Sequence, residues 1–297
     1  FPTRRSSDLF NWDGTSGDIL VTGGTLSALS GTGLTRTAIF TPTPNQSGTS
    51  VSISVNAGSY QDAAGNLGLA AASPAINADT LAPKVSSAEL SSATGAVASL
   101  MNSNVDILNA GDTLFASVNF NDAVFLNSSL GIPTLTLLIG NTAVKATYQS
   151  GSGSQVLVFS TQIVNGQTDS DGVAIGQNAL SLNGATLKDD AGNDSDITAV
   201  AVASNPNFVV DTTAPTLLSI ASGQNTFLSG QTATITFTFS EDPGSTFNWN
   251  GSEGDVTLLG GTLSAIGGSG LTRTATFLPT QSITGANASI TVNNDLY

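Results

Sequence analysis

The chain has 297 residues, a formal net charge of −14, and neither cysteine nor histidine. An acidic surface repels phosphates and anionic membranes, which argues against a nucleic-acid partner. The lack of Cys excludes disulfides and thiolate metal sites, and the lack of His removes the commonest general base and the Ser-His-Asp triad. No apolar run approaches the ~20 residues of a membrane helix, so we expect no membrane insertion here.

The composition predicts an all-β protein. Strong helix formers are scarce, whereas Thr and Val recur in short runs separated by Gly, Asn and Asp. The length suits two domains, or three if each approaches the ~100 residues of an immunoglobulin-like sandwich. Of the 21 acidic residues, 18 are Asp, which suits both turns and the oxygen-rich sites that calcium requires.

The first nine residues, FPTRRSSDL, differ in composition from everything that follows and contain two of the seven basic residues. Back-translated as TTC CCT ACA CGA CGC TCT TCC GAT CT, they read as a sequencing adapter. We therefore expect residues 1–9 to be an artefact that lies outside the fold.

An internal repeat is the most specific signal. The segment FNWDGTSGDILVTGGTLSALSGTGLTRTAIFTPT, from Phe10, recurs as FNWNGSEGDVTLLGGTLSAIGGSGLTRTATFLPT, from Phe247. The constant offset of 237 residues extends to Tyr60 and Tyr297. The two segments are therefore copies of one domain type. We expect the first copy to lack the strands that precede Phe247, and the last to lack the segment that follows Tyr60.

Apolar residues alternate with Thr and other polar residues along several runs, which is the period-two pattern of half-buried strands. Gly-rich turns between the runs favour a sandwich over a barrel. In chain order, the predicted strands are Ala38–Thr41, Val51–Val55, Leu114–Phe120, Thr134–Ile139, Ala143–Tyr148, Val156–Thr161, Phe208–Asp211 and Ala233–Phe239.

Two similar motifs, DTLAP at Asp79–Pro83 and DTTAP at Asp211–Pro215, mark domain junctions. Proline at a strand start is tolerated and pushes the preceding residue into an extended conformation, so each motif suits a short, stiff linker. The predicted domains are a first module (10–80) without its first strands, a longer middle module (81–211), and a last module (212–297) truncated at its C-terminal end.

The motif order FSED, FNWDG, TRTATF, D-x-x-G-N and D-T-x-A-P resembles the tandem bacterial immunoglobulin-like repeats of large secreted surface adhesins. The resemblance implies sandwiches joined end to end in a non-catalytic stalk, located outside the cell or on the bacterial surface. It also implies that the partners are neighbouring repeats of the same chain, and that other regions of the parent protein bind host or environmental ligands.

Acidic loops precede both junctions and make calcium the candidate cofactor, because calcium takes six to eight oxygen ligands. The competing interpretation is that these loops are ordinary Asx turns with solvated carboxylates. In the family that the chain resembles, calcium lies between domains and stiffens the rod. The candidate ligands are Asp62, Asn66, Asp79, Asp189, Asp190, Asn193 and Asp211 and, by resemblance, Asp122, Glu241 and Asp242 from the ends of matching strands.

Two further patterns have ordinary interpretations that we prefer. TDSDG at 168–172 begins like a calcium loop but lacks the third ligand and the distal Glu of an EF-hand, which favours a surface turn. Trp12 and Trp249 occupy equivalent repeat positions, and a buried sandwich Trp is favoured over a platform that stacks a sugar.

Enzymatic activity is disfavoured. Glu241 and Asp242 are the two carboxylates that a glycosidase needs, but adjacent strand residues point to opposite faces and do not easily flank one bond. The Gly-rich segment GDILVTGGTLSALSG lacks the spacing of a phosphate-binding loop. The alternatives that stay open are a carbohydrate- or ligand-binding accessory module of an extracellular enzyme, and a structural protein of a surface layer.

Overall fold

The computed structural model describes residues 9–94, 97–98, 105–199, 201–228, 230–280 and 287–293. Within these ranges every regular element is a strand, which confirms the predicted all-β sandwich class. The chain forms two compact units, one ending at Thr212 and one beginning at Thr213. The division of the first unit into two modules stays a prediction, and residues 1–8 of the expected artefact lie outside the described residues.

The first module is a small sheet around one long strand. Its strands are β1 (Ile19–Thr22), β2 (Gly24–Leu26), β3 (Phe40–Pro42), β4 (Thr49–Val55), β5 (Ala71–Ala72) and β6 (Ile76–Ala78). β4 pairs antiparallel with β1, β5 and β6, while β2 and β3 form a separate pair. The buried apolar side chains Ile19, Leu26 and Val51 form the interior.

The middle module has two sheets. Its strands are β7 (Val85–Thr94), β8 (Val97–Ala98), β9 (Asp106–Leu108), β10 (Thr113–Asn127), β11 (Thr134–Ile139), β12 (Thr142–Ser150), β13 (Ser154–Gln162), β14 (Thr168–Asp169), β15 (Ala174–Ser181), β16 (Thr186–Lys188) and β17 (Phe208–Asp211). The larger sheet has the order β15-β11-β12-β13-β10-β16, with β7 also on β10. The smaller has the order β14-β17-β9-β8, in which β9 and β17 are parallel.

The period-two alternation places one face of each long strand in the core, as predicted. Along β10, Leu114, Ala116, Val118 and Phe120 are at most 3% exposed. The buried core of the middle module also contains Leu135, Leu137 and Ile139 from β11, and Leu157 and Phe159 from β13.

The last module contains β18 (Leu217–Ser222), β19 (Ala233–Phe239), β20 (Val256–Leu259), β21 (Gly261–Leu263), β22 (Thr272–Pro279) and β23 (Ser289–Val292). β18-β19-β22-β21 form one sheet, and β20 pairs with β23. The ring of Phe247 contacts those of Phe237 and Phe239 edge to face, at centroid distances of 5.3 and 4.8 Å. These aromatic pairs lie in a core that also contains Trp249.

The sequence repeat is also a structural repeat. Ile19 pairs with Val55 as Val256 pairs with Val292, and Gly24 pairs with Pro42 as Gly261 pairs with Pro279. One difference stands out. β22 begins at Thr272, whereas its counterpart β3 begins only at Phe40, five residues later in the repeat.

Most strand predictions agree with the structure to within two residues, but β10 was predicted too short. It continues seven residues past Phe120, through a register shift between Asn119 and Val124. The segment at this shift contains the polar residues Asn121 and Asp122, and Val124, which follows them, is completely buried. Asp122 therefore lies within β10 and not at its end, which corrects the sequence-based placement.

Candidate functional site: the domain junctions

The first linker is attached to the first module through the threonine of its DTLAP motif. The Thr80 hydroxyl donates to the carbonyl oxygen of Thr43 at 2.7 Å and accepts from the Gln46 N–H at 3.1 Å. The Thr80 N–H donates in turn to the Gln46 carbonyl at 2.7 Å. One side chain thus ties the linker to a loop of the preceding module.

The second linker uses the same residue in the same way. The Thr212 hydroxyl donates to the Gln167 carbonyl and accepts from the Gly166 N–H, both at 2.9 Å. The second position of each D-T-x-A-P motif is therefore the residue that ties a linker to the module before it.

The first linker is also bonded to the middle module. The Asn193 side-chain amide donates to the Asp79 carbonyl at 3.2 Å, and the Asp196 N–H donates to the Pro83 carbonyl at 2.7 Å. Pro83 itself is buried. Hydrogen bonds therefore connect this linker to both neighbouring modules.

Asn193 belongs to a D-x-x-G-N turn that occurs twice with the same geometry. In the middle module, Asp189 accepts from the Asn193 N–H and from its side-chain amide, both at 2.8 Å. In the first module, Asp62 accepts from the corresponding groups of Asn66 at 2.9 and 2.8 Å. The bonds from the side chain and backbone of Asn66 lower the pKa of Asp62, because they stabilise the ionised carboxylate.

The structure separates some of the predicted ligands. The Asp189–Asn193 turn contacts Asp79 at the first junction, whereas Asp211 ends β17 and pairs with Thr168. A surface pocket beside Asp211 is also lined by Asp169 and Asp171 of the TDSDG segment.

The TDSDG segment is not the simple surface turn that we preferred. Asp169 is 4% exposed and accepts from the N–H groups of Gly140 at 2.6 Å and Gly172 at 2.9 Å. Asp171 is exposed and accepts from the Ser204 hydroxyl at 3.1 Å. The buried carboxylate of Asp169 thus stabilises the loop around it through backbone hydrogen bonds.

The remaining predicted ligands lie in different local settings. Asp122 accepts from the N–H of Ala123 at 2.7 Å, Glu241 is half-buried, and Asp190 is exposed. Within the part of the chain that the structure describes, no three Asp or Glu side chains are grouped so that they could hold one metal ion. A calcium ion at either junction would therefore need backbone carbonyls, amide oxygens or water among its ligands.

Asp242 forms a salt bridge with Arg273 at 2.7 Å. Its carboxylate also accepts from the N–H groups of Gly244 and Gly270. The hydrogen bond from Arg273, followed by that from Gly244, lowers the pKa of Asp242. Arg273 is 5% exposed, so this pair fixes the loops at one end of the last module.

The two tryptophans make equivalent hydrogen bonds but differ in burial. Trp249 is 9% exposed within the aromatic core, and its indole N–H donates to the Leu263 carbonyl at 3.3 Å. Trp12 makes the equivalent bond to Leu26 at 3.2 Å but is only half-buried. The preferred interpretation as a sandwich Trp is confirmed for Trp249.

Sequence reasoning missed Thr80, Thr212 and Arg273. The available signals were the identical second residue of the two linkers and the repeated TRT triplet, in which a cation recurs inside a strand pattern. Clustered acidic residues are a recognisable sign of metal binding in a sequence, whereas a single threonine hydroxyl in a linker is not.

β-Sheet modules that follow one another along the chain, with hydrogen-bonded linkers, are typical of proteins built from immunoglobulin-like domains. The family model described as "Bacterial Ig-like domain" matches residues 13–78 and 211–297, and the chain belongs to this family. No curated protein and no solved structure matches the chain. Among the described residues, no helix has the length and apolar character needed to cross a membrane.

Proposed function

We propose that the chain is a non-catalytic structural part of the repetitive stalk of a bacterial cell-surface or secreted adhesin. Its partners are then neighbouring immunoglobulin-like repeats, and its work is to transmit force and maintain spacing. Membership of the bacterial Ig-like family and the tandem arrangement of its modules support this proposal.

The observation that carries the proposal is the bonding of the linkers. Thr80 and Thr212 each tie a linker to the preceding module, and Asn193 bonds the first linker to the following one. Inter-domain motion is the default for modules joined by a free linker. A linker bonded in this way restricts hinge motion, as a stalk requires.

Distance measurements across the first junction test this role. The chain has no Cys, so Leu20→Cys and Gln149→Cys, at exposed sites in the first and middle modules, provide two unique spin-label sites. Thr80→Val should broaden the distance distribution, because it removes the hydroxyl without changing the size of the side chain. Thr35→Val, at an exposed site outside the linker, is the matched control. Equal widths in both variants would contradict a bonded linker as the source of stiffness.

Calcium at the junctions is a second part of the proposal. The net charge of −14 and the acidic turns near both linkers support it, since a cation would offset repulsion between carboxylates. Weak extracellular calcium sites bind at about 10⁻⁴–10⁻³ M, so no tight site is needed.

Calorimetry in calcium and then in excess chelator tests the calcium proposal. We expect a calcium-dependent rise in the melting temperature of the full chain that Asp211→Ala reduces. Indifference to calcium would mean that the Asp-rich loops are ordinary turns. A screen against cells and glycan arrays addresses the stalk role separately, because a stalk segment should bind neither.

A further inference from the structure

Three asparagines in the sequence are followed directly by glycine, namely Asn165, Asn183 and Asn250. Such pairs are prone to deamidation, because glycine has no Cβ to hinder attack by its own nitrogen on the preceding side chain. The reaction needs an attacking N–H that donates to nothing else and a side-chain amide that can leave. All three asparagines are exposed, so their hydrogen bonds and not their burial distinguish them.

The Asn250 side chain folds back over the turn that follows it. Its Oδ1 accepts from the Ser252 N–H at 2.9 Å, from the Ser252 hydroxyl at 3.0 Å and from the Glu253 N–H at 2.9 Å. Three donors on one carbonyl oxygen stabilise the negative charge that develops there when a nucleophile attacks the carbon, as in an oxyanion hole. Within the part of the chain that the structure describes, neither the Asn250 side-chain nitrogen nor the Gly251 N–H donates a hydrogen bond.

The other two Asn-Gly pairs make hydrogen bonds that oppose the reaction. The Gly166 N–H, which would attack Asn165, donates to the Thr212 hydroxyl at 2.9 Å. The Asn183 side-chain nitrogen donates to two oxygen atoms of the segment 132–134, at 2.9 and 3.1 Å. The attacking group is therefore occupied in one pair, and the leaving group is held in the other.

The first module shows that an aspartate fits the same turn. Asp13 occupies the repeat position of Asn250, and the glycines that follow them have φ angles of 106° and 108°. Asp13 Oδ1 accepts from the Thr15 N–H at 2.8 Å, the Thr15 hydroxyl at 2.9 Å and the Ser16 N–H at 2.7 Å. The backbone hydrogen bonds from Ser16 and Thr15 hold the pKa of Asp13 far below its ordinary value, because they stabilise the carboxylate.

We propose that Asn250 is a spontaneous modification site whose own turn promotes its conversion to aspartate. The Gly251 nitrogen attacks Cγ of Asn250 and forms a C–N bond, the bond from Cγ to the side-chain nitrogen breaks, and ammonia leaves with the proton from Gly251. Water then opens the resulting succinimide. The net reaction consumes one water and releases one ammonia, without oxidation or reduction.

The turn also directs the second step. Water that adds at Cγ restores the main-chain peptide bond and gives aspartate, whereas water that adds at the main-chain carbonyl gives isoaspartate. The donors of Ser252 and Glu253 polarise the carbonyl at Cγ, so aspartate is the favoured product. The modification adds one negative charge to the last module, and it is independent of calcium and of a stalk role.

Site-resolved mass spectrometry of the full chain tests the proposal. The chain is incubated at mildly alkaline pH, either folded or in urea, and the deamidation rate is measured at each Asn-Gly pair. We expect the ratio of the folded rate to the rate in urea to be one or more at Asn250, and below about one tenth at Asn165 and Asn183. A ratio at Asn250 as low as at the other two would overturn the proposal, because the turn would then protect the amide.

A variant of the turn tests the role of its donors. Ser252→Ala removes the hydroxyl and should slow deamidation of Asn250 about tenfold in the folded chain but not in urea. Ser245→Ala, at an exposed site outside the turn, is the matched control. Fragmentation that distinguishes the two products should find mainly aspartate in the folded chain and mainly isoaspartate in urea. Equal rates in the two variants, or the same product ratio in both conditions, would overturn the role of the turn.

Discussion

Asp242 and Arg273 form a 2.7 Å salt bridge in which 6% of the arginine side chain and 46% of the aspartate side chain are exposed. The arginine also donates to the carbonyls of Gly244 and Gly270, at 2.8 and 2.7 Å. The nearly buried guanidinium of Arg273 thus connects the loop at Gly244 with the loop at Gly270. Its charge is paired with the half-exposed carboxylate of Asp242. Loss of the cation should therefore cost more than loss of the carboxylate.

Arg273→Met should lower the free energy of unfolding of the last module by about 2 kcal/mol, because it removes the hydrogen bonds from a nearly buried charged donor to the Gly244 and Gly270 carbonyls. Asp242→Asn should cost less than about 1 kcal/mol, since the Asp242 side chain is itself half-exposed and screened by solvent. Urea denaturation followed by Trp fluorescence measures both. The matched control is Arg36→Met in the first module, which should change stability by no more than about 0.5 kcal/mol.

The same pair predicts a pH dependence. The pKa of Asp242 in the folded state lies below its ordinary value, chiefly because of the hydrogen bond from Arg273. The stabilisation is therefore present above the unfolded pKa of about 3.9 and is lost as the pH falls through the folded pKa. Acid titration of the last module should show a shallower loss of stability in Asp242→Asn. Identical acid profiles would mean that other carboxylates control acid unfolding.

The tryptophan pair predicts unequal costs for equal substitutions. Trp249→Ala should destabilise the last module by about 3–5 kcal/mol, because it leaves a cavity in an aromatic core and an unpaired Leu263 carbonyl. Trp12→Ala should cost clearly less, since that side chain is only half-buried. Separate unfolding transitions in calorimetry would distinguish the two. A folded Trp249→Ala variant that loses binding to a glycan would support the sugar platform instead.

The limits of sequence reasoning follow from the range of each interaction. Alternation along Thr134–Ile139 and Ala233–Phe239 predicted those strands to the residue, because burial of one strand face is a local, periodic property. The D-x-x-G-N turns were also readable, since Asp189 and Asn193 bond within five residues. The contact of Asn193 with Asp79, 114 residues away, depends instead on pairing between distant segments of the chain, which the sequence does not reveal.

One β-bridge explains why the Asp189–Asn193 turn lies near the first linker. Lys84 and Asp196 form a parallel bridge beside the first strand of the middle module, so the acidic turn just before Asp196 lies near the first linker. Order along the chain suggested proximity of that turn to Asp211, but strand pairing decides its position in space. The sequence does not predict the roles of the linker hydroxyls for the same reason, because Thr80 and Thr212 acquire partners only through tertiary contacts.

Asn193→Ala should loosen the first linker without unfolding the middle module. It removes the bond to the Asp79 carbonyl together with the bond from the side-chain amide to Asp189. Hydrogen exchange should become faster at the Leu81 amide, which bonds to the Asp79 carboxylate at 3.1 Å.

The matched variant is Asn66→Ala, which removes the same side-chain bond from the equivalent turn of the first module. It should leave exchange at Leu81 unchanged, because the bond to the linker comes from Asn193. Faster exchange in both variants would indicate general destabilisation of the D-x-x-G-N turns. Faster exchange in Asn193→Ala alone would establish that this turn holds the linker, since the two variants differ chiefly in the bond to Asp79.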